Sequence, residues 1–147
     1  MSISNDIVNQ VVALLNTGPP AGVPVAKRTY TYSFDATTLP ALVVYPDRDV
    51  PEQSPSSVGV LTRRVLYVNV VSIVAAGPGE RPDEVIDVIR AWIVAALAGY
   101  REQNLIHRIA ESETAFELAQ VDHAYCKCQV EVAIEYQTRA NDLGQWA

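Results

Sequence analysis

The sequence predicts an α+β domain: a mostly antiparallel, mixed β-sheet packed against one main α-helix and an N-terminal helix. Three observations predict it. Residues 122–139 alternate with a period of two. Ala124, Cys126, Cys128, Val130, Val132, Ile134 and Tyr136 fall on one side, and His123, Tyr125, Lys127, Gln129, Glu131, Ala133, Glu135 and Gln137 on the other. That is the pattern of a strand with one buried and one wet face. Residues 62–75 alternate too, but both sides become apolar toward the end, which places this strand centrally in a sheet. Between the two lies a stripe at helical spacing, Val85, Ile86, Val88, Ile89, Trp92, Ile93, Ala96 and Leu97. Strands gathered around one large helix define the α+β class.

The remaining elements follow in order. Ile7, Val8, Val11, Val12, Leu14 and Leu15 recur at helical spacing, with Ser4 as the expected cap and Asn5 and Asp6 at the positive end of the dipole. Gly18 and Pro19–Pro20 stop this helix, and residues 17–25 read as a Gly/Pro loop. Residues 28–34 alternate, with Tyr30, Tyr32 and Phe34 on one face, and 35–38 read as a turn. Residues 41–45 read as a short apolar strand that Pro46 is expected to end. Residues 47–60, with Pro51, Pro55 and three serines, read as a flexible projecting loop. Pro82 and the acids Asp83, Glu84 and Asp87 open the main helix, and Gly99 is expected to close it in a left-handed conformation. Residues 105–109 and 114–121 read as two weaker strands near an edge. Residues 140–147 read as a C-terminal tail.

The chain has 147 residues, which suits a single domain over 1–147, and 49% are apolar, enough for one core. Net charge is −6, which argues against a protein that grips nucleic acid across a broad basic face. Only Lys27 and Lys127 are lysines among the 11 basic residues. Arginine predominates, as it does at protein interfaces and in GC-rich genomes alike. Residues 1–10 are polar and read as a helix start, not a leader. No apolar run reaches the roughly 18 residues that span a bilayer.

The candidate chemistry is sparse. Cys126 and Cys128 share a strand face, about 6–7 Å apart, so a mutual bridge would need distortion. They read as reduced core thiols. His123 projects to the opposite face, so the three do not converge as metal ligands. No nucleophile motif is present, and His107 reads as a half-exposed strand residue. The carboxylate pairs Asp47/Asp49 and Glu111/Glu113 sit in polar segments where solvation is their ordinary state. Gly77-Pro78-Gly79 precedes a helix but lacks the Lys-Ser/Thr of a phosphate loop, and the acids that follow would repel phosphate. The Tyr30/Tyr32/Phe34 stripe lacks the basic partners of a base-stacking surface. Catalytic residues, cofactor sites and metal sites are therefore all expected to be none.

The ordered set resembles a known family. The N-terminal helix (6–16), the segment Leu39-Pro40-Ala41-Leu42-Val43-Val44-Tyr45-Pro46, the long strand 63–74, the acid-started helix 83–97 and the final strand ending Val132-Ala133-Ile134-Glu135-Tyr136-Gln137-Thr138-Arg139 look like the tail terminator (minor tail protein U-like) proteins of long-tailed bacteriophages. The resemblance is one of element order over most of the chain. The 47–60 loop, the Gly/Pro segment after the first helix and the Trp146 tail depart from it.

The resemblance implies a structural virion protein, assembled in the host bacterial cytoplasm, with no cofactor and no turnover. It implies self-association into a homohexameric ring that caps the tail tube, meets the major tail protein on one side and the head-completion or neck protein on the other. DNA would slide through the channel without specific binding, which an acidic protein suits. Asp47, Arg48 and Asp49 with Arg63 and Arg64 are the expected assembly surface. Two other readings stay open: a neck or head-completion protein of similar size, and a small-molecule-binding or enzymatic α+β domain with a cleft beside the main helix.

Overall fold

The computed structural model describes residues 2–29, 39–52, 61–75, 81–100, 106–120, 124–139 and 142–146. They form α1 (Ile3–Leu15), β1 (Ala26–Arg28), β2 (Ala41–Pro51), β3 (Leu61–Ala75), α2 (Pro82–Ala98), β4 (Ile106–Gln120), β5 (Ala124–Arg139) and β6 (Asp142–Trp146). The strands make one sheet in the order β1-β2-β3-β5-β4, with β6 paired to β5 off that path. Among the described residues only the β1–β2 pair is parallel; the other pairs are antiparallel. The α+β class with a mixed, mostly antiparallel sheet is what the sequence predicts, and β3 lies centrally, between β2 and β5.

Both helices pack on one face of this sheet. From β5, Cys126, Cys128, Val130, Val132, Ile134 and Tyr136 point into the main core, the face the alternation predicts. They meet Leu66, Val68, Val70 and Val74 of β3, and Ile86, Ile89, Ile93 and Leu97 of α2. From α1 the stripe Ile3, Ile7, Val8, Val11 and Leu15 joins them. No described helix lies on the other face. A smaller cluster of Val43, Val71, Ile73 and Tyr125 forms there, with Leu39 and Tyr45 against it. The second face of β5 is not wet as expected. Glu131 and Tyr125 are buried and the neighbouring side chains half-buried. An internal strand is covered by long side chains from both neighbours, so alternation of polarity does not become alternation of exposure.

Local chemistry explains the ends. Ser2, not Ser4, caps α1: its Oγ accepts from the Asn5 N–H at 3.3 Å, so the helix starts a little earlier than expected. At the other end the Asn16 amide donates to the Ala26 carbonyl (3.0 Å) and accepts from its N–H (2.8 Å), as a neighbouring strand would. The Trp92 Nε1–H donates to the Leu15 carbonyl at 3.1 Å, satisfying an open acceptor of the last turn and tying α2 to α1. Gly18 takes φ +64°, the left-handed region glycine tolerates. Gly99 does not: its φ is −96°, so the expected left-handed closure of α2 is replaced by an ordinary turn.

Three expectations about strands are corrected. β2 does not end at Pro46 but runs to Pro51, so 47–51 is strand and not loop. Pairing passes from Pro46↔Val68 to Arg48↔Tyr67, leaving Asp47 as the extra residue of a bulge. A bulge is one of the places in a sheet where a residue without an N–H is tolerated. Residues 53–60 of the expected loop lie outside the described residues. The two weak strands are one, β4, whose alternation is broken by irregularities between Ile106/Arg108 and Glu111/Glu113. The C-terminal tail carries a strand: β6 pairs with Thr138 and Arg139. Of the expected strand over 28–34 only Arg28 falls in a described strand. Tyr30, Tyr32 and Phe34, like Gly77-Pro78-Gly79 and His123, lie outside the described residues.

Candidate functional site

The β2 bulge decides the geometry of the expected assembly residues. Without it Arg48 would sit opposite Leu66, on the helix-covered face. The extra residue moves Arg48 opposite Tyr67 and Asp49 opposite Leu66, so the two side chains leave the strand on opposite faces.

On the face that no described helix covers, Arg48 spans β3 to reach β5. Its Nη1 and Nη2 donate to Glu131 Oε2 and Oε1, both at 3.2 Å, a two-pronged charged contact. The guanidinium lies 3.8 Å from the centre of the Tyr67 ring and 2.5 Å from Asp47 Oδ2. Ser112 of β4 donates to Glu131 Oε1 at 3.1 Å. One carboxylate thus braces β2, β5 and β4. The hydrogen bond to Glu131, ahead of that to Asp47, holds the Arg48 guanidinium above its usual range.

On the helix-covered face Tyr136 OH donates to Asp49 Oδ2 at 2.6 Å, and Arg64 Nη1 approaches the same oxygen at 3.8 Å. Burial first, and then the adjacent Asp49, push the Tyr136 phenol well above its ordinary value. Asp49 Oδ1 and Arg64 Nε are buried with no hydrogen-bond partner among the described residues.

Of the five expected interface residues, then, Arg48, Asp49 and Arg64 are engaged within the chain. Asp47 is exposed but bonded to Arg48, and Arg63 is exposed. The structure does bring Arg63 and Arg64 to one cleft of about 580 Å3, whose walls include Glu52, Tyr67, Arg108 and Glu135. Arg63 and Arg108 form no ion pair among the described residues, and neither do Glu52 and Glu135. The cleft therefore offers both signs of charge to a partner.

Glu131, Tyr136, Ser112 and Arg108 are members of this network and cleft that sequence reasoning missed. Glu131 lies 83 residues from Arg48, and nothing in local spacing links them. Aligning β2, β3 and β5 with a bulge at Asp47 shows the pair.

Elsewhere, Glu111 is not simply solvated. Thr114 Oγ1 donates to it and Arg90 pairs with it at 3.1 Å, and these two contacts hold its carboxyl below the usual range. Cys126 and Cys128 are buried free thiols. No group of three or more His, Cys, Asp or Glu that could hold a metal ion occurs among the described residues. Beside α2, Ile93, Val94, Leu97, Ile109, Val130 and Val132 line an apolar pocket of about 130 Å3, smaller than the roughly 300–1,000 Å3 of typical ligand sites. Val85, Val88 and Val94 of α2 and Phe116 of β4 are large apolar side chains left exposed.

No known protein family matches this sequence. No curated protein matches it either.

Proposed function

We propose that this chain is a structural virion protein, the tail terminator of a long-tailed bacteriophage, which caps the tail tube as a ring and presents a surface for head joining. The reading rests on the resemblance in element order. The observation that carries it furthest is the cleft at the end of the sheet, on the face that no described helix covers, where Arg63, Arg108, Glu52 and Glu135 present charges of both signs outside the described ion pairs. Such a surface suits contact with another folded protein, where complementary charge fixes register and partner. A ring needs heterologous contacts, one patch meeting a different patch on its neighbour.

The test is capping. The purified chain, added to purified tail tubes, is expected to occupy one tube end and stop further growth, read by negative-stain images and tube length. Arg63→Glu is expected to abolish capping with no change in melting, because Arg63 is exposed and belongs to no ion pair among the described residues. Arg64→Glu is expected to differ: it sets a second carboxylate beside Asp49 and costs about 1–3 kcal/mol of stability. Failure of the wild type to cap sinks the reading. It would favour a small-molecule-binding domain, for which the 580 Å3 cleft is large enough.

A further inference from the structure

We propose that two copies of this chain pair through their β4 edges, antiparallel, in the register that sets Arg108 of one copy against Glu117 of the other. This is a contact of the free chain and stands apart from the tube-capping reading. A two-fold contact uses the same patch on both copies, so it is not the contact that repeats around a ring.

Among the described residues β4 is the last strand of the sheet, and Glu111, Ser112, Glu113, Ala115, Phe116 and Glu117 along it are exposed. A long open edge presents backbone donors and acceptors that a second strand can satisfy. The bulge at Ser112 selects the register. Before it, Ile109 and Glu111 share the helix-covered face with Ile134 and Val132, and Arg108 and Ala110 share the opposite face with Glu135 and Ala133. After it the parity inverts. Thr114 and Phe116 lie on the helix-covered face, across from Val130 and Cys128, and Ala115 and Glu117 on the other one, across from Gln129 and Lys127.

Two strands paired about a two-fold axis must oppose residues of the same face. Setting Arg108 against Glu117 also sets Ile109 against Phe116, Ala110 against Ala115 and Glu111 against Thr114, and every pair shares a face. No like charges stand directly opposite each other, the two Glu113 being offset by one residue about the axis, and the one basic residue of this stretch meets an acid twice, once on each side of the axis. A slip of two residues in either direction loses the Arg108–Glu117 pairs and the Ile109–Phe116 pairs together.

The apolar pocket beside α2 supplies a second, independent reason. Ile109 and Val94 border it, and Val94 is 44% exposed. Phe116 is 57% exposed, with the Arg90 guanidinium 5.8 Å from its ring centre as its one charged neighbour among the described ring contacts. In this register the Phe116 ring of the second copy stands opposite Ile109, at the mouth of the pocket, and enters it. By symmetry two rings fill two pockets, burying the two most conspicuous apolar features of this edge. A foreign strand would satisfy the backbone, but the charge pairs and the ring-to-pocket match are properties of this chain against itself.

The experiment is sedimentation equilibrium across a concentration series for the wild type, Arg108→Glu, Glu117→Arg, the double swap and Phe116→Ala. The wild type is expected to dimerise. Each single reversal and Phe116→Ala are expected to weaken the dimer at least about tenfold, and the double swap to restore it. A wild type that stays monomeric overturns the proposal. So does a dimer insensitive to the reversals, or one lost in the singles and not rescued by the swap. Arg108 and Glu117 are exposed, so these variants are expected to fold. Should one melt below the wild type, hydrogen exchange of the wild type decides: β4 amides must slow as concentration rises, and unchanged exchange overturns the proposal.

Discussion

Truncating Ile134 to alanine is expected to cost about 2–5 kcal/mol of folding stability, the range for removing a fully buried aliphatic side chain that leaves a cavity. Ile134 is 0% exposed, lies on the helix-covered face of β5 and stands between Leu66 of β3 and Ile109 of β4. A strand flanked on both sides cannot move to refill the space, so the cost belongs toward the upper part of that range. Gln129→Ala, five residues earlier on the same strand but on the other face, removes a half-buried polar side chain and is expected to change stability by less than about 0.5 kcal/mol. Urea denaturation of the two variants reads the contrast directly. Equal losses would mean that the two faces of β5 are equally packed, and the one-sided helix layer would be wrong.

That contrast also marks what could be read from residues alone. β3, α2 and β5 were legible because each carries a long, unbroken period, of two or of 3.6, that only one local structure satisfies. β2 and β4 were legible only in part, as shorter strands, and for one physical reason. Each contains an irregularity that inverts the parity of everything beyond it. Pro46 looks like a stop because proline usually is one, yet the bulge beside it lets pairing resume at Arg48. In β4 the extra residues at His107 and Ser112 hide an alternation that is regular on either side of them.

The candidate surface inherits the same blindness. Arg63, Arg64 and the 47–49 segment do lie at one end of the sheet, as the linear reading supposed. The partners of Arg48 and Asp49, Glu131 and Tyr136, sit on a strand more than 80 residues away. Only register brings them together, and register depends on the bulge. Glu131 read as one more solvated residue on a wet face. It is instead the anchor that ties three strands together.

The core thiols lead to the last expected result, a loss of stability on the alkaline side. Cys128 is fully buried between sheet and helix, and burial, which penalises the thiolate, pushes its pKa from an ordinary 9.0 up to about 11. Cys126 and Tyr136 are raised for the same leading reason. The sign follows from which state holds the proton. Below about pH 9 both folded and unfolded chains keep the Cys128 proton, and its contribution to stability is fully present. Between about pH 9 and 11 the unfolded chain releases it while the folded chain does not, so stability falls as pH rises. The loss approaches roughly 2–3 kcal/mol for Cys128 alone, because each tenfold difference in proton affinity between the two states is worth about 1.4 kcal/mol. Cys128→Val keeps an apolar side chain of similar size on the strand and removes the titration. Urea midpoints measured from about pH 7.5 to about pH 10.5 are therefore expected to fall more steeply for the wild type than for Cys128→Val. Parallel curves would mean that the Cys128 thiol ionises at the same pH whether the chain is folded or not, and its burial in the core would have to be given up.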